Sequence, residues 1–351
     1  MAAKIEEARE HIRAAEKALK TGLLKWKPDF DCAADEYSQA AQCYRIARDI
    51  QHAKEYHIKA SEFYQRNRSF FHAAKALETA IIVGKEISST DEIYTLAENS
   101  CHLYQQHGSG DSGANVLDKA GKIIEERAPD QALKLYQHAA EVSATESGQH
   151  QAAEYISKAS RILVRLGMYD QAVDSIRREI GFHQEHSNTG AIGRLTVAIV
   201  LVQLARGDAV AAEKAYKEWG NNCEAAEMQT IEQLLAAYDE EDRESAKRAL
   251  RSPFIRHMDV EYARLATTVP LPEGIDPMPN AGVRENAASA YVSGQVCMES
   301  VGFHESDVDD GVRENAAPSY VSGQSRPEQS VEGATAADCH PAPPDDEDEL
   351  C

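Results

Sequence analysis

Alanines recurring every twenty residues limit what this chain can fold into. Ala33, Ala53 and Ala73 are spaced in this way, and Ala132, Ala152 and Ala172 repeat the spacing further on. Many have a second alanine seven positions later: Ala40, Ala60, Ala80, Ala139 and Ala159. Seven residues is about two helical turns, so each pair shares one helix face. Twenty residues is one helix plus a short turn, and two such units make a period of about forty. That is the pattern of stacked helical hairpins, whose small residues sit where backbones cross closely. A stack of this kind presents a long surface to partners, so binding is the expected class of function.

Helices are expected at 4–21, 32–48, 50–66, 69–87, 90–107, 111–127, 129–146, 149–167, 169–187 and 190–206. Small polar breakers such as Asn67-Arg68, Ser88-Ser89 and Gly207-Asp208 separate them. Shorter helices at 209–219, 224–238, 242–251 and 258–267 make a less regular C-terminal bundle. The expected division is therefore a solenoid over 1–206, a helical bundle over 207–269 and a tail over 270–351. The tail holds 17 acidic and three basic residues, no lysine, and much Pro, Gly, Ser and Ala. Such a segment buries too little apolar surface to offset its ordering entropy, and is expected to be flexible. Within it, Gly282–Gln295 returns as Gly311–Gln324 with two changes, Ser289/Pro318 and Ala290/Ser319. The repeat reads as a duplicated linker, with a twice-used peptide motif around Tyr291 and Tyr320 as the sharper alternative.

A formal charge of −21 on 351 residues argues against a bulk nucleic-acid binder. The seven cysteines form no C-x-x-C pair, which points away from a disulfide framework and toward a reducing compartment. The charged N-terminus lacks the apolar core of a signal peptide, and the apolar run around Leu195–Leu204 is too short to span a bilayer. Gly108–Gly113 fits G-x-G-x-x-G but follows a helix instead of a strand, so it reads as an interhelical turn. His183 and His186 lack a supporting ligand motif. Neither a catalytic constellation nor a metal or cofactor site is expected.

Three features stand apart. Leu23, Leu24, Trp26 and Phe30, interleaved with Lys25 and Lys27, have the composition of a membrane-interface loop, or else of a loop folded between the first two helices. Lys158, Arg161 and Arg165 share a helix face, and Lys119 and Lys122 sit similarly two helices earlier. They are either a basic binding stripe or a solvated face. The chain ends in Asp345, Asp346, Glu347, Asp348 and Glu349, followed by Leu350 and Cys351.

Several segments together resemble the soluble N-ethylmaleimide-sensitive factor (NSF) attachment protein family. They are Leu19–Asp31 with its L-K-W-K-P core, Phe71–Glu78, Ala120–Glu125, Gln131–Ala140, Ser157–Arg165, Ser252–Leu265 and the terminal Leu350-Cys351. The resemblance covers about residues 1–267 and the last few. It implies an all-α, tetratricopeptide-like solenoid, a twisted sheet of antiparallel helices, ending in a helical bundle and here extended by a disordered acidic tail. It also implies a cytoplasmic, peripheral-membrane adaptor that binds assembled SNARE four-helix bundles and recruits the NSF hexamer to disassemble them. In that family the first loop touches the membrane, a basic face meets the SNARE bundle, and the acidic C-terminal end with its penultimate leucine stimulates the ATPase. Carried over by position, the stripe Lys119, Lys122, Lys158, Arg161 and Arg165 would meet SNAREs. Asp242, Glu244, the 345–349 run and Leu350 would meet NSF. The rival reading is a tetratricopeptide scaffold or co-chaperone without SNARE specificity. The long duplicated tail departs from the family pattern.

Overall fold

The computed structural model describes residues 1–21, 26–145 and 149–272. All belong to the first of two compact units, Met1–Val283; the second, Arg284–Cys351, lies outside the described residues. The tail expected over 270–351 therefore falls almost wholly outside them.

The described residues form fifteen α-helices and no strand. The first nine are α1 (Ala2–Leu19), α2 (Phe30–Ile46), α3 (Ile50–Arg66), α4 (Phe70–Gly84), α5 (Thr90–His107), α6 (Gly110–Ile124), α7 (Pro129–Thr145), α8 (Gln149–Arg165) and α9 (Tyr169–Glu185). They continue as α10 (Thr189–Ala205), α11 (Ala209–Trp219), α12 (Ala225–Asp239), α13 (Arg243–Leu250), α14 (Pro253–Arg256) and α15 (Val260–Leu265). Each helix from α1 to α9 packs mainly on its sequence neighbours, as stacked hairpins do. The chain is thus an all-α helical-hairpin solenoid. Beyond α9 the order breaks: α15 folds back onto both α8 and α10.

The alanines explain the close stacking. All eleven that carry the repeat, from Ala33 to Ala172, are fully inaccessible. Between them lie buried tyrosines and branched aliphatics, among them Tyr37, Tyr104, Tyr136, Ile81, Leu117 and Leu163. Large side chains fill the space that small ones open, which gives the dense packing of a protein interior.

Seven of the turns share one design. A residue in the left-handed region closes a helix, and the next residue precedes the following helix. Arg48, Arg68, Gly108, Gly167, Ser187, Gly207 and Glu241 have φ between 54° and 85°. Asp49, Asn188, Asp208 and Asp242 then accept a backbone N–H from the first turn of α3, α10, α11 and α13. The G-x-G-x-x-G match behaves as expected of a turn: Gly108 ends α5 at φ 83° and Gly110 begins α6.

Helix α10 is apolar on every side, with twelve of its seventeen residues buried. A helix buried all round carries no amphipathic stripe. It packs on α9, α11, α12 and α15, and so joins the solenoid to the C-terminal helices. The sequence reading has no counterpart to α14, where Ser252 accepts the Ile255 N–H and Pro253 occupies the first turn.

Candidate functional site

The first loop is closed at its base by a backbone hydrogen bond from Asp29 N to Ala18 O, 3.1 Å. Asp29 also caps α2 by accepting from Cys32 N at 3.0 Å. Helix α1 ends at Leu19, and Pro28 lies just ahead of α2, which begins at Phe30. Trp26 is 87 % exposed, and Lys27 is exposed beside it. Phe30 is half-buried and stacks against Phe63 with ring centroids 6.2 Å apart. Phe30 therefore belongs largely to the core side of the loop and Trp26 to the solvent side. Leu23, Leu24 and Lys25 lie outside the described residues.

The three lysines of the stripe pair with buried carboxylates, and its two arginines with more exposed ones. Lys158 on α8 and Lys122 on α6 both hold Asp118, each at 2.7 Å, although they are 36 positions apart in sequence. Lys158 also pairs with Glu154 at 2.7 Å. Lys119 reaches back to Glu78 on α4 at 2.8 Å, and Lys75 meets the same carboxylate at 2.7 Å. Burial alone would raise the pKa of Glu78; the hydrogen bonds from Lys119 and Lys75 outweigh it and hold the group below the usual carboxylate range. A hydrogen bond to Asp118 likewise raises Lys122 above the ordinary lysine value. Helices α4, α6 and α8 thus share one row of lysines lying over buried acids, with a step of about one hairpin.

At the far end of the row the C-terminal helices take part. Arg161 Nη1 is 2.6 Å from Asp259 Oδ2, just before α15. Arg165 sits 3.2 Å from Glu125 and 3.8 Å from Glu261. A cleft of about 270 Å³ is bounded here by Lys122, Tyr136, Lys158, Arg161, Asp259 and Glu261. Sequence reasoning missed Lys75, Asp118, Asp259 and Glu261. Lys75 was within reach only through Glu78, which lies three residues later on the same helix face and forty positions before Asp118. The contact between Arg161 and Asp259 spans 98 positions, and no local pattern announces it.

The lysines keep capacity for a partner. Lys75, Lys119 and Lys122 are each between 42 % and 58 % exposed. An ammonium has three donors, so one bond to an internal carboxylate leaves others for a second acceptor. Lys158 is largely covered, and Arg161 and Arg165 are about a third exposed.

At the C-terminal end Asp242 is occupied locally. It caps α13 by accepting from Glu244 N and Ser245 N, both at 3.0 Å, and the hydrogen bond from Ser245 helps hold its carboxyl below the usual range. Glu244 is exposed on the first turn of α13. Asp345, Asp346, Glu347, Asp348, Glu349 and Leu350 lie outside the described residues.

The soluble NSF attachment protein family model matches residues 6–252, which takes in the loop, the basic row, most of α1 and all of α2 through α13. The chain belongs to that family. It is 26 % identical over 267 residues to a gamma-soluble NSF attachment protein of Dictyostelium discoideum, covering 74 % of this chain and 81 % of the relative. A gamma-soluble NSF attachment protein of Arabidopsis thaliana is 24 % identical, with 73 % and 89 % covered. An alpha-soluble NSF attachment protein of Vitis vinifera is 28 % identical, with 69 % and 85 % covered. Among the described residues, no helix is long and apolar enough to cross a membrane.

Proposed function

We propose that this chain is an adaptor that binds assembled SNARE four-helix bundles and recruits and stimulates NSF for their disassembly. The observation that carries the reading is the match of the soluble NSF attachment protein family to residues 6–252. In this account the adaptor works at the cytosolic face of membranes as a peripheral protein. ATP hydrolysis belongs to NSF, and the chain itself contributes contacts.

Three surfaces divide the work. Trp26, with Leu23, Leu24 and Phe30 and the flanking Lys25 and Lys27, adsorbs weakly to the bilayer. Each lysine near an anionic leaflet contributes about 1 kcal/mol, which is enough for reversible adsorption but too little for anchoring. The row formed by Lys119, Lys122, Lys158, Arg161 and Arg165 meets the acidic SNARE bundle. Because internal carboxylates already hold these cations, the partner does not encounter free charges. It shares the exposed lysines with Glu78 and Asp118, and it competes with Asp259 and Glu261 for the arginines. That favours specificity and register more than raw affinity. The acidic groups Asp242, Glu244 and 345–349, together with Leu350, address NSF.

A pull-down of purified chain with preassembled SNARE complex, followed by NSF with and without ATP, tests the proposal. NSF retained only when both chain and SNARE complex are present supports it. Retention of unrelated peptides with no preference for SNARE complex would favour the tetratricopeptide-scaffold reading.

A further inference from the structure

Glu7 and His11 lie one turn apart on the same face of α1, and Cys43 faces them from α2. One ligating atom from each residue lies within 4.8 Å of the other two. Cys43 is only 5 % exposed, and the other two are half-buried. We infer that these three side chains form a Zn²⁺ site that joins α1 to α2, with a water as fourth ligand.

Carboxylate, imidazole and thiolate together suit a borderline-soft dication, whereas a thiolate disfavours Mg²⁺ and Ca²⁺. With metal–ligand bonds of about 2.0–2.3 Å, tetrahedral ligands stand roughly 3.3–3.8 Å apart. From within 4.8 Å of one another, the ligand atoms would draw in by up to about 1 Å to reach that spacing.

One further observation supports a metal at this place. Glu36 Oε2 lies 2.7 Å from His11 Nδ1. A carboxylate bonded there fixes the proton on Nδ1 and leaves the Nε2 lone pair for a metal, the usual support of a metal-ligating histidine. Lys4 is the competitor that a metal must displace: its ammonium lies 2.9 Å and 2.7 Å from the two oxygens of Glu7. A positive charge already rests on the carboxylate. Lys4 is 41 % exposed and sits in the first turn of α1 on a flexible stem, so it can swing out. Binding Zn²⁺ releases the Cys43 proton to solvent, giving two anionic ligands against a dication. The metal would clamp α1, the first helix of the stack, to its neighbour.

The test uses the full chain with Zn²⁺ for affinity and Co²⁺ as a spectroscopic probe. One Zn²⁺ per chain and a thiolate-to-cobalt charge-transfer band are expected. Cys43→Ser and His11→Ala should each remove the band and the tight Zn²⁺ site. Because Cys43 is buried, the half-exposed His11 serves as the second, less disruptive variant. Glu36→Gln should weaken Zn²⁺ binding tenfold or more, as loss of such a supporting carboxylate does. Lys4→Met should tighten it, an effect that a purely structural Lys4–Glu7 pair would not produce. Binding unchanged in Cys43→Ser and His11→Ala, no binding at all, or weaker binding in Lys4→Met would overturn the inference.

Discussion

At the scale of single residues, the buried acid Glu179 and the exposed Trp26 make opposite demands. Glu179 on α9 is 4 % exposed, and its carboxyl receives the Ser160 hydroxyl at 3.3 Å. Burial raises it from 4.5 to about 7, against the smaller lowering effects of Ser157, Ser160 and Arg161. Its folded pKa lies above its unfolded one, so the folded state binds more protons between these values. Stability is therefore greatest below about pH 4.5 for this group and falls as pH rises to about 7. Glu179→Gln should remove that fall. The variant should gain on the wild type by up to about 3 kcal/mol at pH 8 and show little gain at pH 4.5, as read by urea unfolding at both values. His57 works against Glu179: burial and Arg45 lower it to about 4, so its contribution is lost as pH drops from 6.5 toward 4. Neither group was legible in the sequence, because burial of a single charged residue depends on the neighbouring helix. Trp26 was legible, since its flanking lysines and Pro28 mark a loop. Trp26→Ser should weaken flotation with anionic liposomes and change the melting temperature by less than about 2 °C, because an exposed indole removes little buried area. A drop of several degrees would place the loop in the core.

Helices and turns were the level at which the sequence spoke most clearly. Ten long helices were expected before residue 207, and ten are found, with ends shifted by up to three residues. The largest shifts are at the C-termini of α4 and α6, where 87 and 127 were expected and Gly84 and Ile124 are observed. In each case a tight hydrogen-bonded turn follows, Ile87 N to Gly84 O and Arg127 N to Ile124 O. Such turns continue the helical pattern of the sequence without continuing the helix. α14 was missed because four residues carry no periodicity. The alanine repeat yields a direct prediction. Ala73 is fully inaccessible within the core of the stacked helices. Ala73→Leu should destabilise by about 1–3 kcal/mol through overpacking, whereas Ala→Leu at the exposed Ala2 should be nearly neutral. Equal stability of the two variants in thermal melts would mean that the repeat does not mark close crossings.

For the molecule as a whole, sequence periodicity puts Lys158, Arg161 and Arg165 on one face but cannot reveal what the face meets. The long-range contacts supply this: Asp118 draws α6 and α8 together, and Asp259 and Glu261 bring the C-terminal helices to the same place. Charge reversal at Arg161 and Arg165 should weaken SNARE-complex binding, more at low salt than at high, because partly exposed charges are screened. The same variant should also lose some stability, since it sets new carboxylates against Asp259 and Glu261. Binding measured by sedimentation across a salt series, alongside melts of the same samples, separates the two effects. The central claim is the adaptor role itself. The most direct test is disassembly of a fluorescently labelled SNARE complex by NSF and ATP with this chain as the sole adaptor. The account predicts ATP-dependent disassembly that requires the chain and is lost when its 345–351 segment is removed while SNARE binding persists. A SNARE complex left intact by NSF and ATP in the presence of saturating full-length chain would contradict it.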